Sequence, residues 1–136
     1  MFNYSIKWFI PNGTNEVLST QFFILNKGLN SGKPLEKSCP NCFVITVKND
    51  EEKEFLFWLC WGMWQAKKFY YLHTGSVIPF IRLHEFKSYL NEQITIACNH
   101  QQQYQKSIKT LQQLQALENN YKQNLQLIQK AKKMVF

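Results

Sequence analysis

The sequence predicts an α+β fold: a small mixed sheet packed on a central apolar helix and followed by a long helix of coiled-coil type. Three stretches carry that expectation. Phe55-Leu-Phe-Trp-Leu-Cys-Trp-Gly-Met-Trp64 is too apolar to face water on any side, and Phe43-Val-Ile-Thr-Val47 has the β-branched content of a buried strand. Residues 91–136 contain no glycine or proline.

At the start of the chain, Phe2, Tyr4, Ile6 and Trp8 alternate with Asn3, Ser5 and Lys7, the period-2 pattern of a half-buried strand. Pro11-Asn-Gly13 supplies a turn. Val17, Leu18, Phe22, Leu25 and Leu29 then recur at about helical spacing, which predicts a short helix over residues 16–27 with Gly28 as its left-handed cap. Residues 26–42 are rich in Gly, Pro, Asn and Ser and read as a loop leading into the strand at Phe43–Val47.

Asn49 and Glu52 form an Asn-x-x-Glu capping box for the central helix. Asp50, Glu51, Glu52 and Glu54 sit at the positive end of its dipole, and Lys67 and Lys68 at the negative end. These signals predict about 18 residues of helix, about 27 Å long. Its apolar run is far short of the roughly 20 residues a membrane span needs, so no membrane is expected as a partner. Gly75-Ser76 turns the chain into a predicted edge strand, Val77–Ile81, whose Pro79 cannot donate to a ladder. Leu83, Phe86 and Leu90 mark one face of a short helix.

From Asn91 onward a heptad-like stripe runs through Ala97, Gln101, Tyr104, Ile108 and Leu111. It continues through Leu114, Leu117, Tyr121, Leu125, Ile128, Ala131 and Val135, with a three-residue slip after Leu111. The remaining faces are Gln, Asn and Lys. The division expected is a body at residues 1–91 and a helix at 92–136 of about 40 residues, roughly 60 Å. Such a rod outreaches the body, so Tyr104, Ile108, Leu111, Leu114, Leu117, Tyr121, Leu125 and Ile128 are the predicted contacts for a homodimer or a helical protein partner. The competing reading folds the helix back on its own body with a break near Leu111–Leu117.

The chain has 136 residues and a formal charge of +7. Ten Lys or Arg face seven Asp or Glu in residues 1–91, against six Lys and two Glu in the shorter remainder, so the rod is the more basic part for its length. That balance suits an acidic partner such as double-stranded DNA, although lysines on a helix also serve simply as a solvated face. Met1-Phe-Asn-Tyr-Ser5 lacks the basic flank and apolar stretch of a secretory signal. A cytoplasmic chain with Cys39, Cys42, Cys60 and Cys98 reduced is expected.

Cys39-Pro-Asn-Cys42 has the spacing of a zinc knuckle, but the second pair such a site needs is offered only by Cys98 and His100 at one-residue spacing. The pair precedes a strand, the wrong order for a thioredoxin-like motif, and no metal or other cofactor is expected. Gly28-Leu-Asn-Ser-Gly32-Lys33-Pro34 imitates a phosphate loop but is one residue short between its glycines and has Pro where Ser or Thr must hold Mg²⁺. His84-Glu85 lacks the second histidine of a metalloprotease. Since His73, His84 and His100 are scattered, no catalytic residues are assigned and no enzyme activity is expected. Trp58, Trp61 and Trp64, at steps of three, suit a core better than a base-stacking surface.

One ordered set of segments is more specific than any of these motifs. An apolar helix at Phe55–Leu59, its close at Gln65-Ala-Lys-Lys-Phe69-Tyr70, then Thr74-Gly-Ser-Val-Ile-Pro-Phe-Ile81, Glu85-Phe-Lys87 and a long helix begun by Glu92-Gln93 follow in turn. Over about residues 43–136 this resembles the second half of a target-recognition domain from the specificity subunits of type I restriction-modification systems. Those domains are longer than residues 1–91 and carry base-reading loops. Leu25–Pro34 and Gly75–Arg82 are also similar to a family of small Bacteroidetes proteins, a likeness that brings no activity. The resemblance implies a non-enzymatic DNA-binding or DNA-processing module, like half a specificity subunit. Its candidate phosphate contacts are Lys27, Lys33, Lys37, Lys67, Lys68 and Arg82. A protein-interaction adaptor docking through the long helix is the other reading.

Overall fold

A computed structural model describes residues 3–10 and 20–136, and within them the chain is α+β. Strands β1 (Tyr4–Trp8), β2 (Gln21–Leu25), β3 (Pro34–Leu35) and β4 (Cys42–Val47) form one antiparallel sheet in the order β1-β4-β2-β3. β4 is central. Ile45 pairs with Ile6 on one side and Phe22 on the other. Because side chains alternate across a strand, Ile6, Phe22, Ile24, Phe43 and Ile45 share one buried face.

Residues 21–25 are a strand, where helical spacing had suggested a helix over 16–27; residues 16–19 and the turn at Pro11–Gly13 lie outside the described residues. Long-range pairing decides. Gln21–Leu25 is in full register with β4, and Phe23, on the face opposite Phe22 and Ile24, is also buried, which a one-sided helix would not have required. Gly28 has φ +99 but serves a loop turn instead of capping a helix.

Two helices cover the buried face. α1 (Asp50–Gln65) begins at Asn49, whose Oδ1 accepts from the Glu52 amide at 2.8 Å, and the Glu52 carboxylate accepts from the Lys48 amide at 3.4 Å. Phe57 meets Phe22 edge-on at 5.5 Å between ring centroids. α2 (Leu83–Asn99) brings Phe86 onto Phe43 at 5.5 Å and onto Phe69 of the 3-10 turn Lys68–Leu72 at 5.4 Å. The predicted strand at Val77–Ile81 is a loop. Only Phe80 joins bridges there, to Thr74 and Lys27, since Pro79 has no amide to extend a ladder.

α2 continues through Asn99 and breaks at His100, where φ is −125°, before α3 (Gln101–Met134). The long helix therefore starts at Gln101 and not near Asn91. The break turns the chain back along α1. Gln101 and Gln105 share a surface depression with Asn49 and Phe55 near the start of α1, while Ile108 and Leu111 lie against Gly62 and Met63 near its end. A Cβ on Gly62 would stand 3.3 Å from Leu111 Cδ2, so the bare backbone lets the two helices close. α1 thus sits between the sheet and α3, as its all-round apolar character requires.

Candidate functional site

Two surfaces emerge where α1 ends. The first is built from the loops at residues 26–33 and 67–82, which are stitched together by backbone bonds. The Gly28 amide donates to Pro79 O at 2.7 Å and the Ile81 amide to Asn26 O at 2.9 Å, while Thr74 and Phe80 exchange two bonds of 2.8 Å. His73 Nε2 lies 3.3 Å from Ser31 O and its ring 4.9 Å from that of Tyr70. Lys67 Nζ stands over the Tyr70 ring at 5.6 Å.

This end is electrically one-sided. Neither segment 20–35 nor segment 55–84 contains an Asp or Glu, and together they carry Lys27, Lys33, Lys67, Lys68 and Arg82. Lys27, Lys67, Lys68 and Arg82 are exposed, although Arg82 Nη1 lies 3.8 Å from Glu85 Oε1. Lys33 is half-buried, its ammonium over Trp61 at 5.7 Å and Trp64 at 5.2 Å. That cation–π seat ties it to the body. Lys37 is not with the others. Its neighbour Glu36 meets Lys53 Nζ at 3.4 Å beside the first turns of α1, at the opposite end.

Large apolar side chains stand out among these cations: Leu29, Tyr71 and Val77 are 74%, 89% and 90% exposed. The signal for this in the sequence is Gly75-Ser76, where Gly75 at φ +96 turns the chain inside the loop that Thr74 and Phe80 close. The tryptophans form a half-buried ladder along α1, with Trp61 and Trp64 ring centroids 5.4 Å apart and Trp58 Nε1 donating to Glu54 at 3.1 Å.

The second surface is the free part of α3. Tyr104, Ile108 and Leu111 are taken up against α1 within the chain, and the helix then passes beyond the end of the body. Leu114, Leu117, Tyr121, Leu125 and Ile128 are left 47–64% exposed. The seam is therefore covered from within only up to Leu111, and the helix has no break between Leu111 and Leu117.

Two of the thiols are not poised for chemistry. Cys42 Sγ–H donates to Cys39 O at 3.0 Å, and burial pushes its pKa up to about 11; burial pushes Cys60 up to about 12. Both remain protonated near neutrality, the form that neither attacks nor ligates. Among the described residues no three His, Cys, Asp or Glu side chains are grouped to hold a metal, so Cys39, Cys42, Cys98 and His100 do not assemble into one site.

A buried thiol whose pKa is raised in the fold adds stability that is complete below the unfolded thiol's pKa near 9 and lost as pH rises toward the folded value. Stability is thus expected to fall between about pH 9 and 12, by about 1.4 kcal/mol per pH unit from Cys60. Urea unfolding at pH 8 and pH 10.5 measures this, and Cys60→Ala should reduce the difference to the share that Cys42 contributes.

The fold is a small α+β one: a sheet-and-helix body with a basic loop end and a projecting helix that leaves by the same end. The chain belongs to the family of unknown function DUF6943, whose model matches residues 6–136 and so takes in body and rod alike. No curated protein and no solved structure matches it. Among the described residues no helix is long and apolar enough to cross a membrane.

Proposed function

We propose that this chain is a non-enzymatic, cytoplasmic module that engages the phosphate backbone of double-stranded DNA, or of a DNA-processing assembly, through its loop end. The observation that carries this reading is the grouping of Lys27, Lys67 and Arg82 on loops bonded together where α1 finishes, with Lys68 beside them on the α3 side, on segments without a carboxylate. Phosphates release counterions when cations replace them, so binding of this kind is salt-dependent and tolerant of sequence.

With about four phosphate contacts, affinity for a 20-base-pair duplex should fall roughly 100-fold between 50 and 200 mM salt. Fluorescence anisotropy measures it. The double variant Lys67→Glu, Lys68→Glu should weaken binding and flatten the salt slope, while Lys37→Glu, at the far end of the body, should change neither. Absent binding at 25 mM salt, or an equal loss in Lys37→Glu, would set the reading aside.

A protein-interaction adaptor is the second reading, favoured by the uncovered seam from Leu114 to Ile128. Uncovered apolar stripes on a helix are the usual anchors of helix-on-helix docking.

A further inference from the structure

We infer that the free half of α3 pairs with a second copy of itself in antiparallel orientation, with Tyr121 of one copy over Ala131 of the other and Glu118 of one beside Lys132 of the other. The inference adds an occupant, a direction and a register to the exposed seam, and it is independent of DNA binding.

A strict heptad, which takes Asn124 in place of its stripe neighbour Leu125, places Leu114, Tyr121, Ile128 and Val135 at one core position and Leu117, Asn124 and Ala131 at the other. A parallel pair would set each residue against itself. Two tyrosines would crowd one layer and two alanines would leave a hollow further along. Lys130, Lys132 and Lys133 of both copies would also collect at one end, with the basic loop ends of both bodies together at the other.

An antiparallel pair removes both problems. Each core position of one kind then meets the other kind across the seam, which levels the layers into Leu117 on Val135, Tyr121 on Ala131 and Asn124 on Ile128. In that register Leu125 and Leu127, which flank the seam on either side, each meet their own counterpart near the two-fold axis and cover the Asn124 layers. The outer flanks bring Glu118 to Lys132 twice. Glu118 holds Lys122 of its own chain at 2.9 Å, so Lys132 of the second copy would join an existing ion pair. The seam steps by about 3.5 residues while a straight helix has 3.6 per turn, so the paired rods should wind left-handed about each other.

Sedimentation equilibrium of the full chain between about 10 and 200 µM is expected to show a dimer. In a Cys39→Ser, Cys98→Ser background, which leaves only buried native thiols, Asn120→Cys and Met134→Cys chains should form a disulfide when mixed and none when separate. Asn124→Cys alone, which faces its own copy only in a parallel pair, should form none. Glu118→Lys and Lys132→Glu should each weaken dimerisation about three- to tenfold, and together restore it.

A monomer throughout the range overturns the inference, as do Asn124→Cys self-linking or a dimer lacking the mixed disulfide. Duplex titrations of the same preparations report separately on the loop end, so either proposal can fail without the other.

Discussion

Replacing Gly32 by alanine is expected to remove about 2–6 kcal/mol of stability. The residue has φ +101, where a side chain costs about 1–3 kcal/mol, and an added Cβ would stand 2.5 Å from Phe69 Cδ2 and 2.8 Å from Phe69 Cβ. Phe69 is itself 1% exposed and held by Phe86 and Tyr89, so it has nowhere to retreat; overpacking of that kind adds about 1–3 kcal/mol. Gly28 supplies the control. Its φ is +99 but a Cβ there would meet nothing within 4 Å, so Gly28→Ala should show the backbone cost alone. Urea unfolding of both variants reads the Phe69 contact as their difference, and equal losses would show that no such contact exists. Since Gly32 locks the 26–33 loop onto the 3-10 turn, its variant should also disperse the basic loop end.

Phe86→Ala is expected to cost about 3–5 kcal/mol and lower the thermal midpoint by roughly 10–20 °C. Phe86 is fully buried and touches both the sheet, through Phe43, and the 3-10 turn, through Phe69. Among the described residues no other side chain of α2 joins those two layers by ring contacts. Calorimetry measures the shift. A loss under about 1 kcal/mol would mean that α2 is fastened to the sheet by something other than this ring.

The elements read correctly from the sequence are those whose signals are local and redundant. α1 has its cap, its acidic first turn and its apolar run within one stretch, β4 has five β-formers in a row, and the alternation of Tyr4–Trp8 needs no partner to be recognised. Phe22-Phe-Ile24 was ambiguous because an apolar triplet suits a helix face and a doubly buried strand alike. Its partner strand, some twenty residues away, settles the matter. The break at His100 carries no glycine or proline. Its cause is packing: Ala97 is buried, and Tyr104, one heptad later, turns against α1, so the chain must fold over between them.

The candidate site was legible only in part, for the same reason. Six candidate cations can be named from the sequence, but which of them gather depends on Gly28 meeting Pro79 and Asn26 meeting Ile81, contacts across more than fifty residues. Lys37 fell away because a salt bridge, Glu36 to Lys53, anchors its neighbourhood at the opposite pole.

The way α3 is held has a last consequence for how it folds. Gln101–Leu111, clasped by the body, has already met the unfavourable first turn of helix formation, so every later residue only has to extend an existing spiral. In an unpaired chain the remainder stands in water with only its apolar stripe to pack, and its order should fade progressively toward Phe136. The tip is thus a tether that stiffens on being gripped, and the body need not rearrange when that happens.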